Sequence, residues 1–322
     1  MEKESVSHIG GHITLFFTVE KEGRLLRNQG SRGVGINIQH GVEVKLSTKK
    51  DTTNINDTTI TVNDLNGNSM PNADMFYRDL IDDLVYAKLI DDDTAFDISI
   101  SLELPTSQGF GMSAAGLIAV AMAFREYSRR GNADQYYRIC HRIERQHGSG
   151  LGDVLGIYAG GVEIRLQPGA PGASGTCLGF KCKQPIILVW QPEETRHTSE
   201  YINDAKWQEK ISKAGHKAMN SIKSGPWNHS RWKDILDQSR NFCQDSELIF
   251  ETERKQLLDN TRKAVRALEL HPFVSIRLCM LGTSCVILPR KLERMLSLDE
   301  LNSLHQKFTE IGLDSLITGI DS

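Results

Sequence analysis

Residues Phe96 to Tyr127 read FDISISLELPTSQGFGMSAAGLIAVAMAFREY: a strand, a glycine-bearing turn and a helix in immediate succession. Phe96, Ile98, Ile100, Leu102 and Leu104 alternate with Asp97, Ser99, Ser101 and Glu103, the period of two that marks a half-buried strand. Pro105 ends it. Gly109 and Gly111 allow a tight turn and a close backbone approach to a ligand, and Ser113 to Tyr127 is rich in helix formers. Unpaired N–H groups at the start of such a helix, with the positive end of its dipole, make a site for an anion such as a nucleotide phosphate.

The glycines have a plainer use, which is to tighten a turn. GFGMSA also satisfies the G-x-G-x-x-A form of a dinucleotide fingerprint, but that motif closes a first strand and needs an acid about 20 residues on. Asp134 stands at that distance on a second helical pattern. A Walker loop is excluded, because no Gly-Lys-Ser or Gly-Lys-Thr follows.

At 322 residues the chain is long enough for about two domains. Its 38 Lys+Arg against 41 Asp+Glu leave a formal charge of -3, which gives no reason to expect nucleic acid or an anionic membrane. The longest apolar run, Leu117 to Phe124, is far short of a membrane span, and Met1 to Gly10 lacks the core of a signal peptide. A cytoplasmic location is expected. The 6 cysteines are scattered without zinc-ligand spacing and read as reduced thiols.

Along the chain, Ser7 to Val19 predicts a strand carrying Gly10, Gly11 and His12. Gly30 to Gly35, GSRGVG, predicts a loop that wraps a small ligand or turns an ordinary hairpin, and the strand pattern Ile36 to Leu46 follows. Lys49 to Asn68 is polar and predicts an exposed hairpin; Ala73 to Lys88 has helical spacing. Asn132 and Gln135 predict the cap of a helix from Ala133 to His147, which sets His141 and Glu144 on one face. Glu-x-x-His in di-iron bundles needs a second such motif and two further carboxylates, and neither is present.

A second glycine-rich loop runs from Gly148 to Asp153. Val162, Ile164 and Leu166 predict one face of a strand, with Glu163, Arg165 and Gln167 on the other. Pro168 to Gly175, PGAPGASG, has the composition of a connector and divides residues 1–170 from 171–322. Beyond it come a strand at Pro185 to Gln191 and helices at Ser199 to Ser221, Trp232 to Phe242 and Ser246 to Leu270. Strands at Val274 to Met280 and Cys285 to Leu288, a helix at Leu298 to Ile311 and a last strand at Leu313 to Thr318 complete the pattern. The irregular alternation argues for an α+β fold.

Pro105 to Ala115, PTSQGFGMSAA, resembles the phosphate loop of the GHMP kinases, P-x-x-x-G-L-G-S-S-A-A. The wording SQGFGMS, with GHIT at Gly11 to Thr14 and GSRG at Gly30 to Gly33, is similar to the archaeal pantoate kinases, which phosphorylate pantoate on the route to coenzyme A. The resemblance implies two domains, with an N-terminal ATP-binding domain like ribosomal protein S5 domain 2 and a ferredoxin-like C-terminal domain. It implies ATP at Pro105, Gln108, Gly109, Phe110, Gly111, Met112, Ser113 and Ala114. Ser113 and Glu144 become Mg²⁺ ligands, and Asp153 the catalytic base or, on its residue type alone, a helix N-cap. Arg165 becomes the carboxylate partner, with Ser31, Arg32, His141, Thr198 and His12 as further substrate contacts. A homodimer is expected. Another small alcohol of the mevalonate or homoserine type, or a non-catalytic ligand sensor, stays open as an alternative.

Overall fold

The computed structural model describes residues 4–22, 24–50, 52–192, 201 and 203–321. The apolar alternation of the N-terminal half builds a six-stranded sheet from β1 (Glu4–Phe17), β2 (Gly33–Thr48), β3 (Thr59–Asn63), β4 (Phe96–Leu102), β5 (Val162–Gln167) and β6 (Thr176–Phe180). β2 pairs with β1 along its length, with β5 through its first residues and with β4 through its last. Where β1 and β2 bend together, Gly10 faces Gly41. A Cβ would stand 2.0 Å from the Ile38 carbonyl oxygen at the first and 1.9 Å from that of Ile9 at the second, so neither position accepts a side chain.

Four helices follow in this half: α1 (Met75–Tyr86), α2 (Met112–Ser128), α3 (Ala133–His147) and α4 (Asp153–Ala159). α2 is apolar nearly all round and packs on β1 and β2, with α3 against it, as a helix without a polar face must. α3 opens with the reciprocal cap that Asn132 and Gln135 predict.

The second sheet holds β7 (Pro185–Trp190), β8 (Val274–Leu278), β9 (Ser284–Pro289) and β10 (Asp314–Gly319) in the order β10-β7-β9-β8, all antiparallel. Its helices are α5 (Ala205–Ile222), α6 (Trp232–Asp245), α7 (Thr252–Ala267) and α8 (Leu298–Glu310). The two sheets are joined through β1 and β2. Met280 N donates to the Thr14 carbonyl at 3.1 Å and Asp321 N to that of Asn37 at 2.8 Å.

Four local expectations are corrected. Lys49 to Asn68 is not a hairpin: β3 lies parallel to β4, with Ile55 and Val62 buried, because two spaced apolar residues suffice to dock an otherwise polar segment. The Pro168–Gly175 stretch is the turn between β5 and β6, and the chain passes to the second sheet only after Phe180. The predicted division of β5 into an apolar and a polar face is not a division between core and surface: Glu163 and Arg165 are buried as Val162 and Ile164 are, and β5 is covered on both sides. The pattern Ser246 to Leu270 is broken, into a 3-10 turn at Leu248–Phe250 and α7.

The aromatic ring of Phe242 on α6 is fully buried, 5.7 Å from Phe17 and 6.5 Å from Phe16 on β1. Phe242→Ala is expected to cost about 3–5 kcal/mol. The check is a urea titration, in which the midpoint falls while the slope is kept.

Candidate active site

The loop between β4 and α2 takes up the left-handed backbone that its glycines permit. Gly109 has φ +75° and Gly111 φ +70°, and α2 starts from Gly111 with no side chain capping its first N–H groups. A Cβ on Gly111 would lie 2.9 Å from the His12 main chain, and one on Gly109 would lie 2.9 Å from the Met280 carbonyl oxygen. The loop is thus wedged between β1 and the segment that precedes β9. His12 N donates to the Phe110 carbonyl at 2.9 Å, and the buried Phe110 ring meets Trp190 edge-on at 5.7 Å.

In front of the loop opens a groove of about 210 Å³, lined by Pro105, Gly109, Phe110, Gly111, Met112, Ser113 and Ala114. Ser107, His147, Gly148, Ser149, Asp153 and Met280 complete it; of these six the sequence marks only Asp153 as a site residue. Gln108 is not among the lining residues. Its side chain is buried and donates to the Gln191 carbonyl at 3.3 Å, and Gly282 packs directly on its backbone.

Asp153, the first residue of α4, also lines a second, smaller cavity of about 30 Å³ together with Thr14, Ser31, Gly152, Arg165 and Met280. Its Oδ1 accepts from His12 Nδ1 at 2.7 Å, and the other ring nitrogen of His12 lies 3.0 Å from Glu163 Oε1. Both partners are carboxylates, so a doubly donating imidazolium fits them best. Burial disfavours charge on His12, yet the two carboxylates outweigh it and hold its pKa above the usual histidine value. Burial would likewise raise Asp153, but the hydrogen bond and charge of His12, with Arg165 nearby, keep it below the usual carboxylate range. Asp153 is therefore ionised at neutral pH.

Arg165 is buried, 3.3 Å from Glu163 Oε1, and donates from Nη2 to Thr14 Oγ1 at 3.3 Å. Ser31 is buried beside it with its hydroxyl unpartnered among the described residues. His12 does not reach either cavity as a contact; it is buried behind Asp153. The spacing Glu163-x-Arg165 on one strand face was the signal for this second carboxylate. Arg32 pairs with Glu20 at 3.1 Å and reaches His216 at 2.6 Å, lining neither cavity. His141 lies buried against the Leu26 carbonyl, its pKa pushed down to about 4 chiefly by burial, and it too lines neither. Thr198 falls outside the described residues.

Ser113 is exposed at the groove. Glu144 is buried, with Oε2 unpartnered among the described residues. A Cβ on Gly150 would stand 2.4 Å from Glu144 Oε1 and 3.1 Å from Asp153 Oδ2, so two carboxylates border one small space. Burial first, then the charge of Asp153, raises the Glu144 pKa, which is the mark of carboxylates short of a cation. No group of three or more His, Cys, Asp or Glu among the described residues is arranged so that it could hold a metal ion by itself. A cation here would rest on few protein oxygens and complete its shell with water and phosphate, as Mg²⁺ does.

The family described as "GHMP kinases N terminal domain" matches residues 78–161, the span that holds the loop, Glu144 and Asp153. The chain is 29% identical to a pantoate kinase of Thermococcus kodakarensis over 75% of each. It is also 29% identical to one of Methanocaldococcus jannaschii, over 75% of this chain and 80% of that protein. Over residues 78–161 the chain matches the GHMP kinases. A solved structure titled "Phosphotransferase related to CoA biosynthesis pathway" superposes with a TM-score of 0.75 at 24% identity, covering 99% of this chain and 96% of that one. The fold is the two-domain α+β fold of GHMP kinases, and no helix among the described residues is long and apolar enough to cross a membrane.

In that fold His12 acts from behind Asp153, without lining either cavity. His12→Asn is expected to lower kcat by about 10- to 150-fold, the worth of one charge-assisted hydrogen bond, with KM for ATP little changed and the melting curve cooperative. Steady-state kinetics at saturating ATP read it, and an unaltered kcat refutes the role.

Proposed function

We propose that this chain is an ATP-dependent pantoate kinase, giving 4-phosphopantoate for coenzyme A biosynthesis. The observation that carries this reading is the double position of Asp153, which lines both the groove at the phosphate loop and the cavity of Ser31 and Arg165. Relatives named pantoate kinase support the choice of acceptor.

The uncapped start of α2 and the glycine turn receive the triphosphate. Ser113 and Glu144 would hold Mg²⁺, which supplies charge neutralisation along the phosphates. Arg165 and the unpartnered Ser31 hydroxyl hold the pantoate carboxylate, Arg165 by a charge-assisted pair. Asp153 orients the acceptor hydroxyl and takes its proton as the oxygen bonds to the γ-phosphorus and the bond to ADP breaks. A carboxylate of low pKa serves here, because a loose transition state leaves little charge on the attacking oxygen until late.

Asp153→Asn is expected to lower kcat about 10²- to 10⁴-fold, measured as ADP released with pantoate; a fall of less than tenfold with the fold intact removes Asp153 from the role. Arg165→Ala is expected to raise KM for pantoate about 10- to 150-fold and to leave KM for ATP nearly unchanged. The acceptor itself is tested on a panel of pantoate, mevalonate and homoserine with ATP and Mg²⁺. ADP release with mevalonate or homoserine but not pantoate overturns the acceptor, and release with none overturns the kinase.

A further inference from the structure

The second domain carries a pocket of about 310 Å³ that shares no residue with the groove or the cavity around Asp153. It opens over β8, the outer strand of its sheet, between α6 and α7. Arg240, Arg262, Arg266, Arg277, Arg290 and His271 line it, and no acidic residue does. In a chain with a formal charge of -3, this is a sharp local reversal of sign.

Two of these arginines already have carboxylates: Arg240 lies 3.3 Å from Asp237 and Arg262 3.0 Å from Asp259. Arg266, Arg277 and Arg290 form no ion pair among the described residues. Arg277 is fixed in place, since its Nε donates to the Leu236 carbonyl at 2.8 Å and Nη1 to that of Ile276 at 2.7 Å. Arg290 Nε donates to the Val274 carbonyl at 2.8 Å. Both guanidiniums are thus held by the backbone around β8 and keep donors to spare. Burial, with Arg240 and Arg290 adding repulsion, pushes Arg277 down to about 10; it stays charged.

The floor is apolar, with Ile249, Leu258, Val265 and Val274, so charge pairing there is less screened than on an open surface. Uncompensated guanidiniums at this density repel one another, and a monoanion would neutralise only one. Planar forks that present paired donors match phosphate oxygens. We propose that this pocket is a second anion site, separate from the phosphate loop, for a small soluble molecule bearing two or more phosphate groups.

The test is isothermal titration of the full chain with inorganic triphosphate at low salt, beside the Arg266→Ala/Arg290→Ala double variant. Both substituted side chains are exposed, and an unchanged melting curve with unchanged kcat verifies that the variant is folded. The wild type is expected to show two binding events, one at the phosphate loop and one here. The double variant should lose the second, its affinity weakened about 10- to 150-fold per guanidinium removed, and added KCl should weaken that event in the wild type. Equal binding by both proteins overturns the site. Tighter binding of a DNA oligonucleotide than of triphosphate, lost in the double variant, overturns the small-molecule assignment. Failure at the phosphate loop would instead remove the event that the double variant retains.

Discussion

His12 donates from its main chain to the Phe110 carbonyl in the glycine turn and from its ring to Asp153, with Glu163 on the ring's far side. Glu163 in turn lies beside Arg165. One buried residue on β1 therefore holds the phosphate loop, the acid at the start of α4 and the arginine on β5 in a single frame. The glycines around it follow from its size. A Cβ on Gly35 or Gly156 would come within 2.2 or 2.4 Å of the imidazole Nε2, so ring and backbone fill the space between them.

This arrangement concentrates charge where water is scarce. His12 and Arg165 offset Asp153 and Glu163, while Glu144 is left with a raised pKa and an unpartnered oxygen among the described residues. Buried charges persist when they are paired or when a ligand completes them. The pairs explain the ordered frame, and the unmatched carboxylate explains why the frame suits a cation and phosphates. The same logic applies in the second domain with the sign reversed, where guanidiniums exceed carboxylates over β8.

The second sheet matters to the loop as directly as the first. Gly282 packs on the Gln108 backbone, and Arg254 of α7 donates to the Gly282 carbonyl at 3.0 Å. The loop is backed by both domains, which fixes its curvature from behind, while Gly109 to Ala114 line the groove in front and no side chain caps the start of α2. Preorganised donors of this kind act without reorganising when charge moves.

Much of this was legible in the order of residues. The period of two through Phe96 to Leu102, the glycines that follow and the helix-forming run after them are local instructions, and the strand, turn and helix appear where they predict. The cap at Asn132 and Gln135 is equally local. What the chain order could not give was depth and partnership. Glu163 and Arg165 read as a polar strand face until β6, α4 and β1 covered them, His12 read as a ligand contact until Asp153 closed over it, and Pro168–Gly175 read as a connector until β6 joined the first sheet. The burial of His12, Glu163 and Arg165 depends on contacts between residues more than a hundred positions apart, such as His12 with Asp153 and Glu163 and Arg165 with Thr14. Local propensity fixes which element forms, but burial and the pairing of charge are set only when distant elements pack.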